Sequence, residues 1–123
     1  MVTETIKTHK DLDAWKESVS LAESIYRITK DFPSDERFGL VAQLRRAAVS
    51  IPSNIAEGAT RHSSKEFIQF LYIALASTSE IETQLILSEK LGYISAERAV
   101  LEHLDIVRKL LVGLIKSLKN KIK

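Results

Sequence analysis

Apolar residues recur at spacings of three and four along almost the whole chain, and clear punctuation divides this pattern into four stretches. In the first, Trp15, Val19, Ala22, Ile25, Ile28 and Thr29 share one face with Asp11 or Asp13 placed as a cap, which predicts a helix over about 11–31. Phe32-Pro33 stops it, because proline disfavours helical geometry in the residue before it. Ser34, Asp35 and Glu36 then supply a cap and acids for the next N-terminus. Leu40, Leu44, Ala47 or Ala48, Ile51 and Ile55 keep helical phase across Pro52, so a single Pro-kinked helix is predicted over about 34–61. The proline ring removes the bond to the Ala48 carbonyl, and Ser50 and Asn54 flank it as replacement partners. Ser63 and Glu66, in capping-box spacing, open a third helix over about 63–91 that Gly92 closes. Ser95 is the expected cap of a fourth, over about 95–120, whose stripe is Val100, Leu104, Val107, Leu111, Leu114 and Leu118. Short connections make successive helices antiparallel. The prediction is therefore an all-α, up-down-up-down antiparallel four-helix bundle over 11–120, with an N-terminal arm at 1–10 and a basic C-terminal end at 121–123.

The third helix is apolar almost all round. On an ideal wheel Phe67, Leu71, Ala74, Ile81 and Leu85 lie within about 40° of one direction and are assigned to the core. Ile68, Leu75 and Ile86 fall about 100° away, and Ile73, Leu87 and Leu91 about 200–240° away. One helix of a small bundle cannot hide all of these, and because they form rows they predict a subunit interface through Ile68, Ile73, Leu75, Ile86 and Leu87. The expected partner is a second copy of the chain.

Composition narrows the function classes. With 45% hydrophobic and 28% charged residues in 123, the chain has the make-up of one soluble globular domain. It has no cysteine, so disulfides, thiolate metal sites and cysteine nucleophiles are excluded. The longest apolar run, Phe70 to Ala76, is too short for a signal or membrane segment, and a cytoplasmic location without membrane association is expected. The formal charge of +2 hides an asymmetry: residues 1–105 hold 12 basic and 16 acidic side chains, whereas 106–123 add six basic and none acidic. Lysines in a last helical turn stabilise the helix dipole, and they also attract phosphate backbones.

No motif for nucleotide cradling, metal ligation or a serine nucleophile occurs, and His9, His62 and His103 have no ligand spacing around them. His62 and His103 are expected to be solvated. No catalytic residue, cofactor, metal or small-molecule substrate is therefore expected, and the aromatic residues are read as core or interface. On helix two a polar row of Gln43, Arg46, Ser50, Asn54, Glu57 and Arg61 runs beside the apolar stripe, with Glu80 of helix three a candidate to face it. It is read as a structural polar network, since Glu57 and Arg61 stand in ion-pair order and no group in it has a reason for a shifted pKa.

The stretch from 32 to 95 carries a specific set of signatures. They are Phe32-Pro33, Glu36 with Phe38-Gly39-Leu40, Gln43 to Ala48, Ser50-Ile51-Pro52, Asn54 to Gly58, Glu66-Phe67, Ser79-Glu80 and Leu91-Gly92-Tyr93. In these the chain closely resembles the four-helix bundle proteins encoded within intervening sequences of bacterial 23S rRNA genes, over almost its whole length. The resemblance implies a bundle fold, no enzymatic activity and a homo-oligomer of the ring-like pentameric kind. It also implies kinship with accessory variability proteins of retroelements, whose basic pentamer surface binds nucleic acid. Arg46, Asn54, Glu57 and Glu80 belong to the family pattern as a shared polar network. The chain departs from the strongly basic relatives in being net acidic over 1–105, so RNA or DNA contacts are expected from Arg45, Arg46, Arg61 and Lys65 together with Lys116, Lys119, Lys121 and Lys123. A protein–protein scaffold without nucleic-acid affinity is the competing reading.

Overall fold

The structure, a computed structural model, describes residues 8–95 and 98–122. It contains four α-helices: α1 (Asp13–Thr29), α2 (Leu40–Ala59), α3 (Ser64–Lys90) and α4 (Arg98–Ile122). Each packs on its neighbours in the chain, and α1 closes the square on α4. This is the antiparallel four-helix bundle expected from the periodicity. None of the helices is long and apolar enough to cross a membrane.

The ends of the helices differ from the sequence reading where a side chain turns back on the backbone. The carboxylate of Asp11 accepts the Thr8 N–H at 3.2 Å and closes a 3₁₀ turn, His9–Asp11. α1 therefore starts two residues later than expected, with no side-chain cap. In the same way Ser34–Glu36 forms a separate 3₁₀ turn, and Glu36 Oε1 accepts the Leu40 N–H at 3.0 Å, so α2 begins at Leu40 and not at Ser34. A Cβ on Gly39 would lie 2.6 Å from that oxygen, so glycine is what lets the cap close. Pro52 lies inside α2 without ending it. Asn54 does not reach the Ala48 carbonyl; its amide donates to the Ser50 carbonyl at 2.8 Å and to Ser50 Oγ at 3.0 Å. Ser63 Oγ caps α3 by accepting the Glu66 N–H at 3.2 Å. Gly92 takes φ +80, and the Tyr93 N–H returns to the Ser88 carbonyl at 2.9 Å, the left-handed stop expected after α3. The expected cap of α4 at Ser95 depends on residues 96–97, outside the described residues, as does Lys123.

The core is built from Leu21, Ile25, Leu44, Ile51, Ile55, Leu71, Ile81, Leu104 and Leu111, all fully enclosed. Three stripes are rotated from their expected phase. On α1 the buried set is Ala14, Ser18, Leu21, Ile25 and Thr29, while Trp15, Val19, Ala22 and Ile28 flank it. Ser18 and Thr29 enter the core because their hydroxyls donate to the Trp15 and Ile25 carbonyls at 2.9 and 2.7 Å, so no polar hydrogen is stranded. On α4 Ile115 takes the core place assigned to Leu114, which is half-buried.

The third rotation corrects the interface set. Ile68 is 8% exposed and belongs to the protomer's own core, not to an outer face. Phe67, expected inside, is half-buried: its ring packs in the space left by Gly58 of α2, where an added Cβ would lie 2.8 Å from Phe67 Cδ1. With the ring drawn to that gap, the next residue faces inward. Leu75 is half-buried against the core, and Ile73, Ile86, Leu87 and Leu91 are exposed.

Candidate functional site

α2 and α3 make the closest helix pair, and the polar row runs along their outer seam. It resolves into three separate groups. Near the start of α2 the Arg46 guanidinium meets Glu80 Oε2 of α3 at 3.0 Å and Gln43 Oε1 of its own helix at 3.0 Å. One helical turn further on α3, Gln84 Oε1 is buried without a hydrogen bond. Mid-helix, Ser77 of α3 donates its hydroxyl to Ser50 Oγ at 3.0 Å, and Ser50 in turn receives Asn54. At the far end Arg61 pairs with Glu57 at 3.0 Å and lies 4.7 Å over the Phe70 ring. The seven residues read as one network from sequence thus act as two partly exposed ion pairs around a shielded hydroxyl–amide relay. Partly exposed pairs contribute little stability; only Arg46–Glu80 joins α2 to α3, whereas Glu57–Arg61 is an i, i+4 pair on the α2 side of the seam.

At the end of the bundle where α1 finishes, Glu36 and Tyr93 tie the two long connections together. The Tyr93 hydroxyl donates to Glu36 Oε2 at 2.8 Å, and the Tyr93 ring stands 5.4 Å from Phe32. The Leu40 N–H foremost, and the Tyr93 hydroxyl after it, hold the Glu36 carboxyl below its ordinary pKa against the opposing effect of partial burial. The same bond to the carboxylate raises Tyr93 above an ordinary phenol. Periodicity had no way to show this clasp, since Glu36 and Tyr93 are 57 positions apart. Phe38, read from sequence as core or interface, is 88% exposed beside it.

The expected nucleic-acid contacts do not gather on one face. Arg45 spends its Nε–H on Thr29 Oγ1 at 2.9 Å and an Nη2–H on the Tyr26 carbonyl at 3.3 Å, with its plane 4.5 Å over the Tyr26 ring, and so ties α2 to α1. Arg46 and Arg61 are matched with Glu80 and Glu57. Lys65 stands at the start of α3, and Lys116, Lys119 and Lys121 near the end of α4. Those two termini adjoin: a cleft at this end is lined by His9, Leu12, Ala59, Phe67, Leu118 and Lys121 among others. Lys119 rests 5.5 Å over the Tyr72 ring. His103 is not solvated as expected, because it bonds Glu17 of α1 at 2.7 Å and is only 20% exposed. Among the described residues no group of His, Asp and Glu is arranged to hold a metal.

Fold and side chains together define an all-α bundle whose described polar side chains pair along its seams and ends. More particularly, the chain belongs to the 23S rRNA-intervening sequence protein family, whose model matches residues 10–113. It is similar to a crystal structure from Bacteroides thetaiotaomicron VPI-5482, described as a protein with unknown function from the S23 ribosomal protein family. The two are 29% identical and superpose with a TM-score of 0.74, over 84% of this chain and 98% of that one. No functionally curated protein matches the chain.

Proposed function

We propose that the chain assembles with copies of itself, as a pentamer of the kind its family resemblance implies, and that the assembly binds RNA or DNA as an accessory protein and not as an enzyme. The observation that carries the binding is the charge at the end where α3 begins and α4 finishes. Lys65, Lys116 and Lys121 are exposed there with no carboxylate partner among the described residues, whereas Arg108 and Lys109 further up α4 are matched with Glu82 and Asp105. Unneutralised lysines collected at one end create a field that attracts phosphate, and a ring of copies multiplies it.

Assembly is supported by the exposed apolar residues of α3 and by Leu91, which follows it. Ile73, Leu87 and Leu91 follow one outward line, about half exposed each, with the Arg46–Glu80 pair between them. Rows of this kind cost water contact unless another surface covers them.

Titration of a labelled single-stranded RNA against salt tests the binding. Neutralised phosphates give a linear fall of log affinity with log salt, with a slope of about 0.9 per phosphate contacted on duplex DNA and about 0.7 on single strands. Absence of binding at low salt overturns the reading and leaves the protein–protein scaffold.

A further inference from the structure

Between the end of α1 and the first turns of α2 lies a cleft of about 320 Å³ in which three cations converge. Lys30, Arg37 and Arg45 line it with the hydroxyl-bearing Thr29 and Ser34, over the apolar side chain of Phe32, and among the described residues no acidic one lines it. Among the described residues Lys30, Arg37 and Arg45 form no ion pair with any carboxylate, although Arg46, Arg61 and Arg108 elsewhere are each matched with one. Three like charges in a concavity repel one another, and their potential is focused by the low-dielectric wall behind them. An anion relieves both effects.

Arg45 is already set for such a ligand. Its bonds to Thr29 and to the Tyr26 carbonyl fix the guanidinium plane, and Thr29 is itself buried and anchored to the Ile25 carbonyl. Two of the five N–H groups of the side chain are used in this way, and the Nη1 hydrogens remain for an oxygen acceptor. Little side-chain entropy is then lost on binding, which is the condition for affinity from few contacts.

Lys30 also lines a neighbouring groove between α1 and α2, of about 520 Å³, whose wall is Val19, Ala22, Tyr26, Val49 and Pro52, with Glu23 and Arg27 at its rim. Tyr26 is 42% exposed there and held on α1 by Arg45. The polar anion cleft and the apolar groove thus share Lys30, and Arg45 of the first lies over the Tyr26 ring of the second, a pairing suited to a phosphate joined to a planar apolar group.

We infer that the Lys30–Arg37–Arg45 cleft binds the phosphate of a nucleotide, with the base laid in the α1–α2 groove beside Tyr26. The nucleotide is either free or one unit of a single strand; the strand form rests on the nucleic-acid reading above, and the free form does not.

Calorimetric titration with adenosine 5′-monophosphate, adenosine and inorganic phosphate, and anisotropy of a fluorescein-labelled oligoadenylate, separate the cases. The variant is Lys30→Gln with Arg37→Gln, since neither side chain holds another element: the one contact of Arg37 is with the exposed Phe38 ring, 5.8 Å away. Circular dichroism verifies that it keeps its helices. The monophosphate is expected to bind the native chain, to exceed both adenosine and inorganic phosphate by about tenfold, and to lose about tenfold in the variant, as befits lost charge-assisted bonds. If a strand is the source, the variant also lowers the salt slope of oligoadenylate binding by about one per lost contact. Monophosphate affinity unchanged in the variant, or matched by adenosine, overturns the site, and inorganic phosphate binding as tightly as the monophosphate overturns the place of the base. Monophosphate binding without oligoadenylate binding upholds the site and defeats the nucleic-acid reading. Oligoadenylate binding untouched by the variant, without monophosphate binding, does the reverse.

Discussion

Two glycines in helical segments make the closeness of α2 and α3 measurable by a single kind of substitution. Gly58 is buried near the end of α2, and a Cβ built there lies 2.8 Å from Phe70 Cβ, 2.8 Å from Phe67 Cδ1 and 3.3 Å from the Phe67 carbonyl oxygen. Gly113 lies within α4 with nothing within 4 Å of the same built atom. Neither has a positive φ, so alanine fits the backbone at both. At Gly113 only helix propensity acts, and Gly113→Ala is expected to stabilise by about 0.8–1 kcal/mol. At Gly58 the same gain is at most about 1 kcal/mol, smaller near a helix end, and it is opposed by overpacking of about 1–3 kcal/mol. The opposition is strong because the Phe67 carbonyl belongs to the α3 backbone and Phe70 Cβ is bonded directly to it, so neither can swing away on a side-chain torsion. Gly58→Ala is therefore expected to destabilise, by up to about 3 kcal/mol, and to differ from Gly113→Ala by about 1–4 kcal/mol. Urea denaturation followed by circular dichroism, at one fixed protomer concentration because assembly couples to folding, reads the difference. Equal stabilisation by both substitutions refutes the close approach of α2 and α3, and with it the packing that turns Ile68 inward.

The other expectations are independent of the glycines. Ile73→Glu should lower the solution mass while leaving the helical signal intact, whereas Ile68→Ala should cost about 2–4 kcal/mol of stability, as for other buried aliphatic truncations; an unchanged mass in Ile73→Glu counts against the α3 interface. Glu36, whose folded pKa is lowered, adds stability that is present above about 4.5 and is lost as pH falls through its folded value, so Glu36→Gln should flatten the acid limb of the stability curve. Parallel native and variant curves in that window would show that the carboxylate carries no such linkage. Ser77→Ala removes the donor to Ser50 and should cost about 0.5–1.5 kcal/mol by chemical denaturation, and a neutral result would mean the mid-helix relay is not held.

The number of helices, their antiparallel order and most of the core were legible in the chain, because helical periodicity and proline or glycine punctuation are properties of neighbouring residues. The polar row of α2 was legible as a row for the same reason, and so was the i, i+4 pair of Glu57 and Arg61. Glu80 was legible as a candidate to face the row, but the division into groups was not, since Ser77 joins from another helix without having been marked and Glu80 meets Arg46 alone.

What the tertiary structure alone decided is the rotation of each helix about its axis and the fate of each charge. Hydropathy counted Ser18 and Thr29 differently, yet both lie in the core, because a hydroxyl that bonds its own helix is nearly apolar to its surroundings. Charge count marked Arg45, Arg46 and Arg61 as equals. Arg61 has its partner four residues away in Glu57, packing brought Glu80 to Arg46, and it left Arg45, with Lys30 and Arg37, in a cleft lined by no acid among the described residues. Sequence fixes which side chains a helix can present, through a period set by the backbone; whether a presented charge is neutralised depends on what residues tens of positions away bring to meet it.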